Sequence, residues 1–414
     1  MHPLRWIVVG FLFVATGLSF LDRQVLSIAI LKIQQEFSIT DVQYGWVNTG
    51  FLLSYALMFT LGGRLIDRFG SRMGLAVAVG IWSLANMLHG TMTTFWQLFT
   101  YRFVLGLGEG GCFPGAAKAV YTWFDERERA LANGIAIGGA AIGAVIAPPL
   151  TVYLSGKFGW RAGFVIPGLV GLFWVVGWLL LPRTADSESP TADLKTASRT
   201  PLINILRLRH TWVFILIRFL LDPIFYFLMF WIPKYLNQVR LVSFEQVGRL
   251  FWIPFLALGV ANILGGWLSD RLIRRGNSVN VARKTVMGAA AVLTMIAPTI
   301  AWVSAIEVAI LLMAVFLFAH GFWITNFITS IADLFGENAT STVVGLSGTA
   351  GAVSGLLINP LLGWIIQTYS YTPLWWASGL LYPLAFIVFL RMIPRLEPLP
   401  LSTSSPAFSG SPRS

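Results

Sequence analysis

The chain consists mainly of long apolar runs separated by short polar segments. Because a helix needs about 20 mostly apolar residues to cross the hydrocarbon core of a bilayer, each run predicts a transmembrane helix. A charged residue, Arg5, precedes the first run, as in a signal peptide. That run continues beyond Asp22 and Arg23 with no clear cleavage site, which favours a retained helix. We predict twelve helices, at residues 6–31, 43–66, 74–92, 96–122, 131–155, 162–182, 212–236, 246–268, 285–303, 307–334, 342–367 and 373–393.

The composition favours a membrane protein and excludes several other classes. Of the 414 residues, 56% are hydrophobic and 11% are charged, and the mean hydropathy is +0.73. So few charges cannot cover a soluble domain, in which about a quarter of the residues are charged. A single cysteine, Cys112, rules out an intrachain disulfide scaffold. The short alternating segments of a β-barrel do not occur. The expected fold class is therefore an all-α integral membrane protein.

The positive charges predict the topology. A net charge of +11 is compatible with nucleic-acid binding, but the basic residues lie in the loops between apolar runs. If both termini are cytoplasmic, 19 of the 29 Lys and Arg fall in cytoplasmic segments, 6 in external loops and 4 within spans. This bias is the positive-inside pattern of a multi-pass membrane protein. We therefore expect the lipid bilayer, and not nucleic acid, as the surrounding partner.

The chain divides into two similar halves. The longest hydrophilic stretch predicts a linker at 186–210 between an N-terminal bundle at 1–185 and a C-terminal bundle at 211–395, followed by a disordered tail at 396–414. The segment Gly63-Arg64-Leu65-Ile66-Asp67-Arg68 returns 203 positions later as Gly266-Trp267-Leu268-Ser269-Asp270-Arg271. We predict twelve transmembrane helices in two pseudo-symmetric bundles of six, an architecture of transporters that bind substrate between the halves.

Charged residues inside the predicted spans mark a candidate site. Each costs about 2.5–3.5 kcal/mol at the centre of a membrane helix and so needs a reason. A guanidinium can hold a carboxylate with two parallel hydrogen bonds, which makes Arg23 a candidate anchor for an organic anion. Burial favours the neutral form of a carboxylate and a neighbouring guanidinium favours the charged form, which suits proton exchange. Alternatively, these charges only lock helices together, the interpretation favoured for a pair near the end of helix 7. The residues are Asp22 and Arg23 in helix 1, Arg102 and Glu109 in helix 4, and Arg218 and Asp222 in helix 7.

Uncharged polar side chains add weaker candidates for substrate binding. Tyr44 and Tyr55 lie on one face of helix 2, and Trp323 and Asn326 share a stripe with His320 on helix 10. Asn359 lies beside Pro360 in helix 11. Hydroxyl, amide and indole groups at such positions can bind and stack on a sugar. Helix packing and interfacial aromatics explain the same pattern equally well.

Two loop motifs are predicted to act as cytoplasmic gates. Their acidic and basic residues can pair with neighbouring helix ends in one conformation and separate in another; the alternative is that they only set the topology. They comprise Asp67, Arg68 and Arg72 in the first half, and Asp270 and Arg271 in the second. The sequence at 106–111 satisfies a dinucleotide-binding pattern, but it lies inside an apolar span without a preceding strand. No metal site is expected, because the four His have no ligand spacing with the cysteine.

The segment GRLIDRFGSR at 63–72 resembles the loop 2–3 signature of the major facilitator superfamily. The segments LDRQ at 21–24, RFVLGLGEGGCFP at 102–114 and RFLLDPIFYFLMFWIPKYL at 218–236 are similar to the anion:cation symporter branch, which includes bacterial hexuronate and aldonate permeases. This resemblance implies substrate binding at Arg23 and Tyr55. It also implies proton coupling at Asp22 and Glu109, with Arg102 as their charge partner. Phe20 stands where relatives often have tyrosine.

The expected function is secondary active transport. The resemblance implies proton-coupled symport of a small organic anion, of the hexuronate or aldonate type, by alternating access. Protons would be the coupling ion, with no other cofactor, and the protein would work as a monomer in a bacterial inner membrane. The alternative is an exchanger of organic anions or phosphate esters with the same fold. The expectation is not an enzyme, because no set of nucleophile and base residues is present.

Overall fold

The computed structural model describes residues 4–124, 126–182 and 202–399, which contain α-helices, one short 3₁₀ segment and no β-strand. The linker residues 183–201 and the tail residues 400–414 lie outside the described part. The helices are α1 (Arg5–Phe37), α2 (Asp41–His89), α3 (Phe95–Glu109), α4 (Cys112–Trp123), α5 (Glu126–Phe158), α6 (Ala162–Leu180), α7 (Leu202–Arg207), α8 (Arg209–Gln238), α9 (Phe244–Leu250), α10 (Trp252–Arg274), α11 (Val279–Thr294), α12 (Ile306–Thr368) and α13 (Thr372–Met392), with the 3₁₀ segment at Ala297–Ala301.

The predicted all-α membrane class is confirmed. Ten helical segments of the described residues are long and apolar enough to cross a membrane. The first arm of α2 and the α3–α4 pair account for the two other predicted helices. Predicted helices 2 and 3 join in α2 through Gly70, and helices 10 and 11 join in α12 through Gly336. Both glycines have positive φ, 78° and 62°, which only glycine adopts without strain.

Several boundaries differ from the prediction. Part of the expected linker forms the short helix α7, and the following helix begins at Arg209. The first residues of the expected disordered tail contact the C-terminal half. Leu396 is buried and its N–H donates to Oδ1 of Asn280 (3.1 Å), while the N–H of Leu399 donates to the carbonyl of Leu334 (2.8 Å). These contacts give residues 396–399 a fixed position.

Close helix packing within the N-terminal half depends on glycine. A methyl group at Gly139 would overlap the carbonyl oxygen of Phe13, and one at Gly143 would overlap the carbonyl oxygen of Gly17. Helices α1 and α5 therefore approach each other backbone to backbone, as membrane helices with small residues at their interface do. Outward-facing positions instead carry large apolar side chains, including Trp96, Phe173 and Ile263, suited to contact with lipid.

Several described contacts between the two halves lie near the end predicted to be external. Thr49 of α2 donates to the carbonyl of Leu356 in α12 at 2.9 Å. Gly45 packs so closely on Asn359 that a methyl group there would overlap its carbonyl oxygen. Asp41 at the start of α2 also pairs with Lys234 of α8. The halves are therefore closed against each other at this end.

Candidate functional site

A buried ion pair lies at the middle of the N-terminal half. Arg23, the nineteenth of 33 residues in α1, donates from Nε to Oε2 of Glu109 at 2.6 Å. Ser19 lies one turn earlier and donates to the same carboxylate oxygen at 3.0 Å. The side chain of Glu109 is fully buried, and that of Arg23 is 10% exposed. Oε1 of Glu109 makes no described hydrogen bond. The carboxylate therefore retains an oxygen that can take a proton or a donor.

The position of Glu109 follows from the glycines around it. Glu109 is the last residue of α3, and Gly110 and Gly111 separate it from α4. A methyl group at Gly106 would overlap Oγ of Ser54 and the Phe51 carbonyl of α2, and one at Gly110 would press on Met58. This stretch of glycines lets α3 lie against α2, so that Glu109 reaches Arg23 across the bundle. The segment that satisfies a dinucleotide-binding pattern therefore serves helix packing.

Aromatic rings surround the guanidinium of Arg23. Its Cζ lies 4.4 Å from the centroid of the Tyr55 ring, 4.8 Å from that of Phe20 and 5.4 Å from that of Phe51. Such rings attract a cation through their faces and still leave the N–H groups in the plane of the guanidinium for other partners. Phe20, where tyrosine was expected, contributes a ring but no hydroxyl. The structure therefore brings Tyr55 to Arg23.

Arg102 forms no described ion pair with the two carboxylates, but its charge acts on both Asp22 and Glu109, as expected of a charge partner. This fully buried side chain donates to the backbone carbonyls of Asp22 (3.2 Å) and Arg23 (2.8 Å). The carboxylate of Asp22 instead accepts from Nδ2 of Asn86 at 2.8 Å. Arg102 therefore fixes the backbone of α1 where the two charged residues follow each other. The sequence did not identify Asn86 because an isolated asparagine in a span has many uses.

Tyr44 lies in the contact between the halves. Its buried hydroxyl donates to the carbonyl of Phe230 in α8 at 2.7 Å, and its ring contacts Trp231 edge-on. It precedes Tyr55 by eleven residues, which is roughly 16 Å along a helix. The prediction that Tyr44 joins Tyr55 in one binding face is therefore not what the structure shows, because its hydroxyl is already used.

The other predicted substrate-binding residues pack inside the C-terminal half. Trp323 is 1% exposed and meets the rings of Tyr382 and Phe386 edge-on at 5.6 and 6.2 Å. Buried Asn326 donates to the carbonyl of Gly265 in α10 at 3.1 Å. Buried Asn359 accepts from Nε1 of Trp231 at 3.2 Å. These side chains join helices, which corrects the predicted binding stripe.

A second charged cluster lies in the C-terminal half. Arg218 and Asp222 are the tenth and fourteenth of 30 residues in α8, so the pair is near the helix middle and not near its end as predicted. Nε of Arg218 donates to Oδ2 of Asp222 at 2.9 Å, and Nη2 lies 2.7 Å from the same oxygen in an ion pair. One turn further, Tyr226 packs on Gly355, and His320 stacks on Phe225 at 4.9 Å.

The predicted gating residues contact their own half. Arg68 is exposed beside the Phe69 ring, and Arg72 donates to the carbonyls of Leu179 and Leu181 at the end of α6. Arg271 lies over the Trp267 ring at 4.9 Å. The side chain of Asp67 lies outside the described residues.

Arg283 is a charged residue of this region that the sequence interpretation missed. It pairs with Asp270 and with Asp333, each at 3.1 Å. These two carboxylates come from α10 and α12, so Arg283 in α11 connects three helices. Its position in a basic loop segment gave no signal beyond topology.

The pattern of apolar helices in two halves, with buried opposite charges midway across, defines a membrane transport protein. The chain belongs to the Major Facilitator Superfamily, whose family model matches residues 12–358. It is a multi-pass membrane transporter and not an enzyme.

Similar proteins include transporters of organic acids. The chain is 28% identical to a hexuronate transporter of Escherichia coli (strain K12) over 388 residues, covering 90% of each chain. It is 30% identical to the probable sulfoacetate transporter SauU of Cupriavidus necator over 416 residues, covering 95% of this chain and 94% of the relative. A solved bacterial homologue of the human lysosomal transporter Spinster, in an inward-facing, occupied conformation, superposes with a TM-score of 0.74 at 20% identity, covering 95% of both chains. That likeness shows the shared fold.

Proposed function

We propose that this protein is a proton-coupled symporter of an organic acid anion of the sugar-acid type. The observation that carries the proposal is the buried Arg23–Glu109 pair beside Tyr55. Relatives named as hexuronate, D-galactonate and sulfoacetate transporters support an anion with a carboxylate or sulfonate group. Both group types match the planar fork of a guanidinium.

Coupling follows from competition for one guanidinium. When Glu109 is ionised, it occupies the Nε side of Arg23 and neutralises its charge. A proton on Glu109 removes that negative charge and weakens the pair, so that the carboxylate of the substrate can bind the same guanidinium. Proton and anion therefore favour each other's binding, and this coupling is reciprocal by linkage. The free Oε1 atom is the position at which Glu109 can accept the proton.

The neighbouring residues have supporting roles in this proposal. Arg102 holds the backbone of α1 so that Arg23 keeps its direction, and its positive charge favours the approach of an anion. Asp22, bound to Asn86, is a second proton-binding carboxylate whose charge differs between the loaded and empty states. Among the described residues the two carboxylates belong to one cluster around α1, so their proton uptake is coupled.

Transport then requires the two halves to open alternately to each side. We propose that Asp67, Arg68, Arg72, Asp270 and Arg271 stabilise the cytoplasmic ends of the helices in one of these states. The protein would reside in a bacterial inner membrane with both termini cytoplasmic, act as a monomer and use no cofactor besides protons. Closure at the opposite end, where Asp41 meets Lys234, is compatible with a state open to the cytoplasm.

The test is transport in proteoliposomes that contain the purified full-length protein. With D-galactonate or D-galacturonate as probes, an inward proton gradient should drive accumulation by the unaltered protein. Glu109→Gln should retain exchange of labelled for unlabelled anion and lose proton-driven accumulation, because the amide cannot release a proton. Arg23→Ala should lose both activities, since the anion has no anchor.

Glu36→Gln provides the matched control, because Glu36 is an exposed carboxylate that is also paired with an arginine. It should transport like the unaltered protein. If Glu109→Gln still concentrates the anion against a gradient, the coupling assignment is wrong. If a counter-anion inside the vesicles is required at every pH, the protein is an exchanger of organic anions or phosphate esters.

A further inference from the structure

In the Arg218–Asp222 pair, only one side of the guanidinium contacts the carboxylate. The carboxylate of Asp222 accepts from Nε of Arg218 and pairs with Nη2 through a single oxygen, Oδ2. The described contacts of Arg218 do not use Nη1, so one side of the guanidinium retains N–H donors. The side chain of Arg218 is 20% exposed and that of Asp222 is 10% exposed, so the pair is not fully buried. A guanidinium with an unused side can bind a second carboxylate in addition to the first.

This pair lies within about two helical turns of the Arg23 cluster in depth. Arg23 is 14 residues before the end of α1, whereas Asp222 and Arg218 are 16 and 20 residues before the end of α8, differences of about 3 and 9 Å along a helix. The ends of the two helices lie side by side, because Lys234 near the end of α8 pairs with Asp41, which directly follows the end of α1. The two charged clusters thus lie in opposite halves, within about two helical turns of each other in depth.

Tyr226 connects the two clusters. It follows Asp222 by one turn of α8 and interacts electrostatically with both Asp222 and Arg218, and also with Tyr55 and Arg23 of the other half. Its ring packs on Gly355, a position that also approaches Leu52 of α2. An anion held at Arg23 would therefore have Tyr226 and then Arg218 as its next neighbours across the boundary between the halves.

The α12 backbone leaves room for the second pair. A methyl group at Gly351 would overlap the carboxylate of Asp222, so any larger residue would displace the pair. Membrane proteins bury such a pair at a cost, because each charged group loses its hydration. Locking α8 to α12 does not account for it, because both charges are on α8 and their mutual pairing joins no other helix.

We propose that Arg218 is a second anion-binding residue and that the preferred substrates are organic dianions, with one acidic group at Arg23 and the other at Arg218. This inference rests on the proposed function and specifies its substrate class. A dicarboxylate or a sulfonated carboxylate has the required chemistry. Each half of the protein would hold one end of the molecule, and binding of both ends would bring the halves together around it.

The test compares two sugar acids that differ only at one end. Galactarate and D-galactonate share a carbon chain and stereochemistry, but C6 is a carboxylate in galactarate and a hydroxymethyl group in D-galactonate. Binding of each is measured by titration calorimetry on the purified full-length protein. We expect tighter binding of galactarate by the unaltered protein. Arg218→Gln should lower the affinity for galactarate about tenfold or more, because the charged hydrogen bonds to the second carboxylate are lost. The affinity for D-galactonate, which lacks that carboxylate, should change less than threefold.

Arg161→Gln is the matched control, because it also removes an arginine from an ion pair, but at an exposed site. It should leave both affinities unchanged. The double variant Arg218→Gln/Asp222→Asn leaves no unpaired charge, so it keeps the test valid if the single variant does not fold. The inference is overturned if the unaltered protein does not bind galactarate more tightly than D-galactonate, or if removal of Arg218 lowers the affinity for both acids equally. If the unaltered protein binds neither these nor other sugar acids, the proposed function itself fails.

Discussion

The ion pair between Asp41 and Lys234 provides the most direct perturbation of the conformational equilibrium. Asp41 begins α2 in the N-terminal half and Lys234 lies in α8 of the C-terminal half. Lys234 is fully buried and the side chain of Asp41 is 16% exposed. Gln34 of α1 also donates to Asp41, at 3.0 Å. Of these two side-chain contacts of Asp41, only the one with Lys234 connects the two halves, and it is lost together with the hydrogen bonds of Tyr44 and Thr49 when the halves separate at this end.

The size of the effect follows from burial. Removing one partner of a buried pair costs about 3–5 kcal/mol, because the other charge stays buried without compensation. The partial exposure of Asp41 reduces this figure, and we expect about 2 kcal/mol for Asp41→Asn. Since the cost falls on the state in which these ends are closed, the equilibrium should move by about 30-fold toward the state in which they are open.

The shift can be measured by pulsed electron spin resonance between two labels. Exposed positions at the same end, Lys157 in α5 and Gln367 in α12, belong to opposite halves. Both are replaced by cysteine for labelling, and the buried Cys112 is replaced by alanine. The unaltered protein should show mainly a short distance. Asp41→Asn should add a population at longer distance that becomes the major one if the two states start within about 30-fold of each other.

Two further variants separate this effect from a general loss of stability. Glu36→Gln removes an ion pair with Arg161 at the same end, but both partners belong to the N-terminal half and are 41% exposed. Exposed pairs contribute about 0–1 kcal/mol, and this one does not break when the halves separate. Asp41→Asn combined with Lys234→Met should restore the short distance, because no buried charge remains. Our reasoning is refuted if Asp41→Asn leaves the distances unchanged or if Glu36→Gln changes them as much.

Two other predictions concern residues that the structure assigns to packing. Trp323→Leu should lower the thermal unfolding temperature and leave sugar-acid affinity within about twofold, because the indole contacts rings and not the Arg23 cluster; loss of affinity with unchanged stability would contradict this assignment. Gly139→Leu should abolish folding or transport in expression and uptake assays, because its side chain would overlap the Phe13 carbonyl. Gly138→Leu is the control and should behave normally in the same assays, because no atom lies within 4 Å of a methyl group at that position.

The apolar pattern of the chain predicted the fold nearly completely. Twelve helices follow from length and hydropathy alone, because the bilayer imposes both. The positions at which helices bend or break were less predictable. A glycine with positive φ continues α2 and α12 through their bends, and the glycines after Glu109 divide a predicted helix into two. Where a helix bends depends on tertiary contacts that a single apolar run does not encode.

The candidate site was predicted in part. The high cost of buried charge identified Arg23 and Glu109, and the structure places them in one ion pair. The polar stripe with Trp323 and Asn326 was misassigned, because helical spacing predicts which residues share a face but not which neighbour that face meets. Lys234 was one of the six basic residues counted in external loops, and it is instead a buried partner of Asp41. Its pairing depends on how two distant helices meet, which spacing along the chain cannot provide.

Among the described residues, the ion pairs Arg23–Glu109, Arg218–Asp222 and Asp41–Lys234 can act independently because they connect different parts of the molecule. Arg23–Glu109 lies within the N-terminal half and Arg218–Asp222 lies within α8, so neither pair has to break when the halves move apart. Their charges can therefore determine which anion binds and with how many protons. The pair Asp41–Lys234 spans the halves and responds to opening but touches neither cluster among the described contacts. Substitutions in Arg23–Glu109 or Arg218–Asp222 should alter substrate affinity with little effect on the conformational equilibrium of the empty protein. Substitutions in Asp41–Lys234 should shift that equilibrium with little effect on the contacts that the substrate makes.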